Sequence, residues 1–164
     1  MMKPARVVMI VLLGVLAALH SSGRSTQGAP AAQFSVVAGQ GPANGELNFN
    51  GTSKGKLVIT VPAGSQVKLT LTNQGTLPHS LEIIPVTSQL PSLAVNPPAF
   101  PGAEIPNPVA GIAKGKTAVA QFTAAKPGKY LMICGFPGHA ILGMYATFIV
   151  SSSASAQPSM TITK

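Results

Sequence analysis

Three side chains near the C-terminal end have types and spacing that suggest chemistry. Cys134 is the only cysteine in the chain. His139 follows after four intervening residues, and Met144 after four more. A thiolate, an imidazole and a thioether make a soft donor set. That set suits copper, whereas zinc and the hard cations rarely recruit a thioether. A mononuclear blue-copper site takes two histidines, one cysteine and a weak axial methionine. This stretch supplies three of the four, so a second histidine must come from elsewhere.

The intervening residues let the three meet. Fully extended, the segment from Cys134 to Met144 would span roughly 33–36 Å, so it must curl to reach one ion. Gly135, Pro137, Gly138 and Gly143 provide turn chemistry between the candidate ligands. Ahead of Cys134 the pattern is a strand with Tyr130, Met132 and Cys134 on one face. Beyond Met144, residues 145–150 form another strand. The expected unit is a ligand loop between two strands.

Simpler readings exist for each residue. A lone cysteine is most often a small buried hydrophobe, and methionine is commonly a gap-filler. Those readings leave the histidine and the clustered turn residues as coincidence. A Cys–His nucleophile pair needs a third, orienting group and a place for an oxyanion, and the segment offers no polar orienter.

The second histidine follows from a count. The chain has three histidines. His20 falls in an N-terminal targeting stretch, leaving His79 and His139. His79 stands after the turn residues Gly75 and Pro78, so only the fold could bring it to Cys134. The same inventory argues against a multicopper centre or a second catalytic metal, which need more histidines. The acids are Glu46, Glu82 and Glu104, with no aspartate. They form no convincing carboxylate pair for acid–base work, and phosphate-binding glycine motifs are absent.

Composition bounds the rest. The length of 164 residues fits one domain, and 46% hydrophobic residues suffice for a core. The net charge is +8, but the lysines are scattered and no basic cluster marks a nucleic-acid partner. The lysine pairs Lys54/Lys56 and Lys114/Lys116 are read as edge lysines that keep neighbouring strands apart rather than as a docking patch.

Residues 1–23 combine Lys3 and Arg6 with an apolar run over 7–19. They are expected to be a secretory signal or a retained membrane anchor. Residues 24–32 read as a linker. An extracytoplasmic location leaves a single cysteine without an internal disulfide partner, and metal ligation would explain its retention.

Short strands are expected at 34–37, 46–50, 57–61, 66–72, 79–84 and 118–123. Most show apolar alternation and are separated by Gly and Pro turns. This pattern predicts an all-β sandwich or barrel. Residues 86–113 contain Pro91, Pro97, Pro98, Pro101, Pro106 and Pro108, which exclude a central strand. The segment is expected to be an excursion that walls one side of the site, with a short helix near Ser92. Residues 151–164 are expected to be a flexible tail.

The order His79 … Cys134-x4-His139-x4-Met144, with Gly128-x-Tyr130-x3-Cys134, resembles the cupredoxins. Leu47-Asn-Phe-Asn-Gly-Thr52, Gly55, Pro62 and Pro137-Gly-His139-x4-Met144 are most similar to the sulfocyanin/rusticyanin branch. The resemblance covers about residues 45–150 within a domain at 33–150. It implies a cupredoxin-like Greek-key β-sandwich with a Pro-rich insertion. It also implies one type 1 copper held by His79, Cys134 and His139 with Met144 axial. Ser80 departs from the asparagine that many cupredoxins place after the first histidine, so the hydrogen bonding around the ligands must differ.

The function implied is not enzymatic. It is single-electron transfer between extracytoplasmic redox proteins of the cytochrome or terminal oxidase class in a respiratory chain. The expected protein is a monomer with membrane anchoring through its N-terminal segment. The alternatives are a copper-trafficking or storage protein and a mononuclear copper enzyme; the first would have an open, exchangeable site and the second an open coordination position.

Overall fold

The computed structural model describes residues 31–153 and 155–164. The expected signal or anchor at 1–23 and residues 24–30 of the expected linker lie outside the described residues.

Two sheets face each other. One has three strands: β1 (Ala31–Ala38), β3 (Gln66–Asn73) and β5 (Thr117–Thr123), in the order β1-β3-β5. The other has five strands in the order β4-β6-β7-β2-β8. These are β2 (Leu57–Pro62), β4 (Glu82–Pro85), β6 (Gly128–Ile133), β7 (Tyr145–Ser151) and β8 (Ser159–Ile162). Two pairings are parallel, β1 with β3 and β2 with β7; the others are antiparallel.

Alternation explains the inner faces. In β3, Val67, Leu69 and Leu71 are buried between more exposed neighbours, and β7 alternates the same way. The inner faces meet around Ile59, Leu69, Met132 and Phe148. Phe100, Phe122, Tyr130 and Phe148 form an aromatic chain with centroid separations of 4.9–5.8 Å, within the favourable range for ring pairs.

Strand β6 departs from alternation, with Tyr130 through Ile133 all buried. Its second face is covered too. Ile84, Leu131 and Ile133 form a smaller cluster with Leu90 and Val95. Leu90 and Val95 belong to the proline-rich segment, which lies over the outer face of β4 and β6. It also lines the β4 backbone: Ile83 N–H donates to the Ala103 carbonyl, and Ile105 N–H to that of Leu81. Residues 86–113 contain no helix, so the short helix expected near Ser92 is absent.

Four other local expectations are corrected. Residues 46–50 do not form a strand. Ala43–Glu46 is a 3-10 turn, and Phe49 makes only isolated bridges. Asn44, Glu46 and Asn50 all have positive φ, which no extended strand can carry. The strand expected from His79 begins at Glu82, because Ser80 directs its N–H to a side chain. The expected tail at 151–164 is partly ordered, since β8 pairs antiparallel with β2 from Leu57↔Ile162 to Thr60↔Ser159. The linker also ends early: Ala31 and Ala32 already belong to β1, with Ala32 buried.

Candidate metal centre

His139 lies on the loop joining β6 to β7, with Cys134 and Met144 at the ends of that loop next to the strands. Backbone bonds close the loop. Cys134 N–H donates to the Met144 carbonyl at 3.1 Å, and Met144 N–H to the His139 carbonyl at 3.0 Å. The antiparallel pairing of β6 and β7 brings the two ends together. Gly138 (φ 82°) and Gly143 (φ 103°) take the left-handed backbone that the curl requires.

His79 arrives from the segment before β4. Its backbone is bridged to Ile112, with His79 N–H to the Ile112 carbonyl at 3.2 Å and the reverse bond at 2.8 Å. Its ring packs where only glycine fits. A Cβ on Gly75 would lie 2.8 Å from His79 Nε2, and one on Gly39 3.1 Å from it. The ring centroids of His79 and His139 are 5.1 Å apart.

His79, Cys134 and His139 each offer a donor atom, and these atoms all lie within 4.8 Å of one another. His139 Nδ1 is 3.5 Å from Cys134 Sγ. His79 and Cys134 are fully buried, as is Met144, while His139 is 5% exposed. Both nitrogens of His79 are buried without a hydrogen-bond partner. A buried polar atom left unsatisfied is costly, and two on one ring call for a ligand. A metal ion would satisfy one of the two nitrogens, and the soft donor set fits copper.

The electrostatics are compatible with ligation. Burial lowers the pKa of His79 to about 4, with the neighbouring His139 adding to the effect. Burial also lowers that of His139. Both rings therefore favour the neutral form that can donate a lone pair. Burial raises the Cys134 thiol, while N–H groups of Ser80 and Phe136 pull it back down. Ser80 N–H lies 3.2 Å from Sγ. These amides favour the thiolate, the form that binds a metal.

The proline-rich segment backs the same loop. Ala94 N–H donates to the Gly135 carbonyl at 2.9 Å, and Gly138 N–H to the Ser92 carbonyl at 2.6 Å. Sequence reasoning anticipated a wall here but not these residues, because the segment has no periodicity from which contacts could be read. It also missed Glu46. The Glu46 carboxylate accepts bonds from Thr76 N–H at 2.7 Å and Thr76 Oγ1 at 2.9 Å, tying the turn ahead of His79.

The two-sheet sandwich and its buried His–Cys–His cluster define a cupredoxin. The chain belongs to the sulfocyanin family: the model of the Sulfocyanin (SoxE) domain matches residues 29–162. It is similar to the sulfocyanin of Sulfolobus acidocaldarius, with 38% identity over 117 residues. The match covers 68% of this chain and 59% of that protein, so this chain accounts for about three fifths of the relative's length.

Among solved structures it is similar to auracyanin B, at 26% identity and a TM-score of 0.53, over 74% of this chain and 90% of that one. Rusticyanin from Thiobacillus ferrooxidans, at 22% identity and a TM-score of 0.52, shares the fold over 74% and 77% of the respective chains.

Proposed function

We propose that this protein is a mononuclear type 1 copper protein that carries single electrons between extracytoplasmic redox partners. His79, Cys134 and His139 would hold the copper, with the Met144 thioether as a weaker fourth donor. The observation that carries this reading is the His79 ring, fully buried, without a hydrogen-bond partner and grouped with Cys134 and His139. Its Nε2 edge packs on Gly39 and Gly75, which leaves Nδ1 as the donor. Copper bound there supplies a reversible one-electron couple.

The protein's own residues do the rest. Ser80 N–H stabilises the Cys134 thiolate. The closed loop fixes the relative positions of Cys134, His139 and Met144. Burial by both sheets keeps water from the donor atoms. His139 is the only one of the four with any exposure, and Phe136 packs on its ring with centroids 4.7 Å apart. Electrons enter and leave by that imidazole edge, beside the exposed Ile141 and Leu142. The protein is a carrier and not an enzyme.

Family membership supports a finer reading, which we infer as follows. Partners are redox proteins of the cytochrome or terminal oxidase class, and the protein is held at the membrane through its N-terminal segment as a monomer. The parallel pairings β1–β3 and β2–β7 support Greek-key connectivity, and residues 86–113 are an insertion into it. A trafficking or storage role would require an exchangeable site, which the buried, closed cage disfavours.

The test is the visible spectrum of the copper-loaded protein. A strong thiolate-to-copper band that bleaches reversibly on reduction, and is lost in Cys134→Ser, is expected. A copper complex with no such band, or one retained at full strength in Cys134→Ser, would overturn the assignment.

A further inference from the structure

One flank of the site loop carries a cationic groove. Asn44, Gly51, Thr52, Ser53, Lys54 and Lys56 line a surface cavity of about 410 Å³. Both lysines are exposed. The groove is joined to the loop that holds His139: Lys54 N–H donates to the Gly143 carbonyl at 2.8 Å, and Asn44 Nδ2 to the Leu142 carbonyl at 3.1 Å. The Lys54 stem lies across Gly143, where an added Cβ would come within 3.1 Å of its Cγ. Beside the groove the loop presents Ile141, 53% exposed, and Leu142, 60% exposed.

Single exposed apolar residues are ordinary. Two in succession on the loop of the exposed imidazole, bordered by lysines, have the layout of an apolar contact centre with a polar rim. The nearby acid, Glu46, does not cancel the lysines. Bonds from Thr76 N–H and Oγ1 hold its pKa low, with Lys114 a smaller cause, so it remains one negative charge against two lysines. Glu104 lines a different cavity with Ala94, Val95 and Asn96.

We propose that the Lys54/Lys56 groove and the adjacent Ile141 and Leu142 dock a redox protein with an acidic face, a carboxylate side chain entering the groove. This rests on the carrier reading above and names the chemistry of the partner. Oppositely charged faces steer encounter and fix orientation. Here the steering charge sits next to the electron's exit. A lipid surface could attract the same lysines but cannot exchange an electron with His139, so the acidic protein is favoured.

The experiment uses the full, copper-loaded chain in two arms. In the first, ferrocyanide reduces the oxidised protein: one electron passes from iron(II) to the protein, leaving ferricyanide. The double variant Lys54→Gln/Lys56→Gln is expected to slow this reaction about tenfold at low ionic strength, with the difference vanishing at high salt and the visible band unchanged. The control is Lys126→Gln/Lys129→Gln, which removes the same charge near the opposite end of β6 and should stay within about twofold. Equal slowing by both pairs, or by neither, overturns the groove.

In the second arm, a hexaglutamate peptide is titrated while backbone amide resonances are followed. Shifts at Asn44, Lys54, Lys56 and Leu142 are expected. Shifts elsewhere, no shifts, or shifts with phosphatidylglycerol vesicles in place of the peptide would overturn the proposal. This arm needs no redox activity. A colourless protein that binds the peptide in the groove would therefore count against the carrier reading alone.

Discussion

Ser80 meets Cys134 through both backbone and side chain: its N–H lies 3.2 Å and its Oγ 3.7 Å from Sγ. The same hydroxyl accepts the Gly135 N–H at 2.7 Å. One small residue thus ties the segment carrying His79 to the loop carrying His139. Removing the hydroxyl in Ser80→Ala leaves a buried N–H on Gly135 without its partner, at a cost of about 1–3 kcal/mol. The backbone bond to sulfur survives, so a coloured site with a displaced absorption maximum and a lower Tm is expected. An unchanged Tm and spectrum would remove Ser80 from this role.

Met144 is buried, and its backbone is fixed to both Cys134 and His139. In Met144→Leu these backbone bonds remain and copper should still bind. If Met144 is the weak donor proposed above, its loss disfavours Cu(II) and the reduction potential should rise. Voltammetry checks this. An unaltered potential would mean that Met144 is not axial and would make Met132 the next residue to test.

Glu82 sets a pH dependence. It is fully buried on β4, and both carboxylate oxygens accept the Val95 N–H at 3.0–3.1 Å. Burial raises its pKa from 4.5 to about 7, opposed by the Val95 bond and reinforced by Glu104. The folded state therefore binds this proton more tightly than the unfolded chain. The contribution is fully present below about pH 4.5 and is lost as pH rises through about 7.

The Glu82 contribution to stability should thus increase on acidification across that window, with a ceiling of about 3 kcal/mol at about 1.4 kcal/mol per unit. His79 and His139, whose folded pKa values burial lowers, work in the opposite sense across part of the same window, as does Glu46. Denaturant midpoints for wild type and Glu82→Gln at a series of pH values test this. The difference between wild type and variant should move in favour of wild type as pH falls from about 7 to about 4.5, and a difference independent of pH would sink the assignment.

Gly135 makes a tight contact between the site loop and the proline-rich segment. A Cβ there would fall 2.6 Å from the Ala94 Cβ. Gly135→Ala should destabilise the protein by about 1–3 kcal/mol and disturb the visible band. Adding Ala94→Gly should restore part of both, a coupling that a double-mutant cycle measures. Strictly additive effects would mean that the clash is relieved elsewhere.

The readability of these features in the sequence follows their physics. The strands at 57–61, 66–72, 118–123 and 145–150 show because each buries one face, and burial writes alternation into the chain. Cys134, His139 and Met144 show through chemistry and spacing, and His79 through counting alone. The false strand at 46–50 arose because Leu47 and Phe49 alternate while the left-handed backbone at Asn44, Glu46 and Asn50 leaves only a weak signal. Strand β8 was missed because it is held by backbone pairing to β2 and buries little side chain. Nothing in the sequence marks Glu82 beyond its being one of three scattered acids, since the amide that receives it lies in a segment without pattern. Lys54 reads in the sequence as an edge lysine, and only the fold lays it across Gly143.

The hydrogen bonds from Cys134 to Met144 and from Met144 to His139 are made by the polypeptide itself. The loop's conformation therefore does not depend on what it grips. Metal uptake should order little chain and remove little apolar surface from water. Calorimetry of copper titrated into the apo-protein should accordingly return a near-zero heat-capacity change, since that quantity tracks apolar burial on binding. The energetic character of the centre is then that of a rigid chelator, in which the enthalpy of the donor atoms is expressed with little loss to refolding.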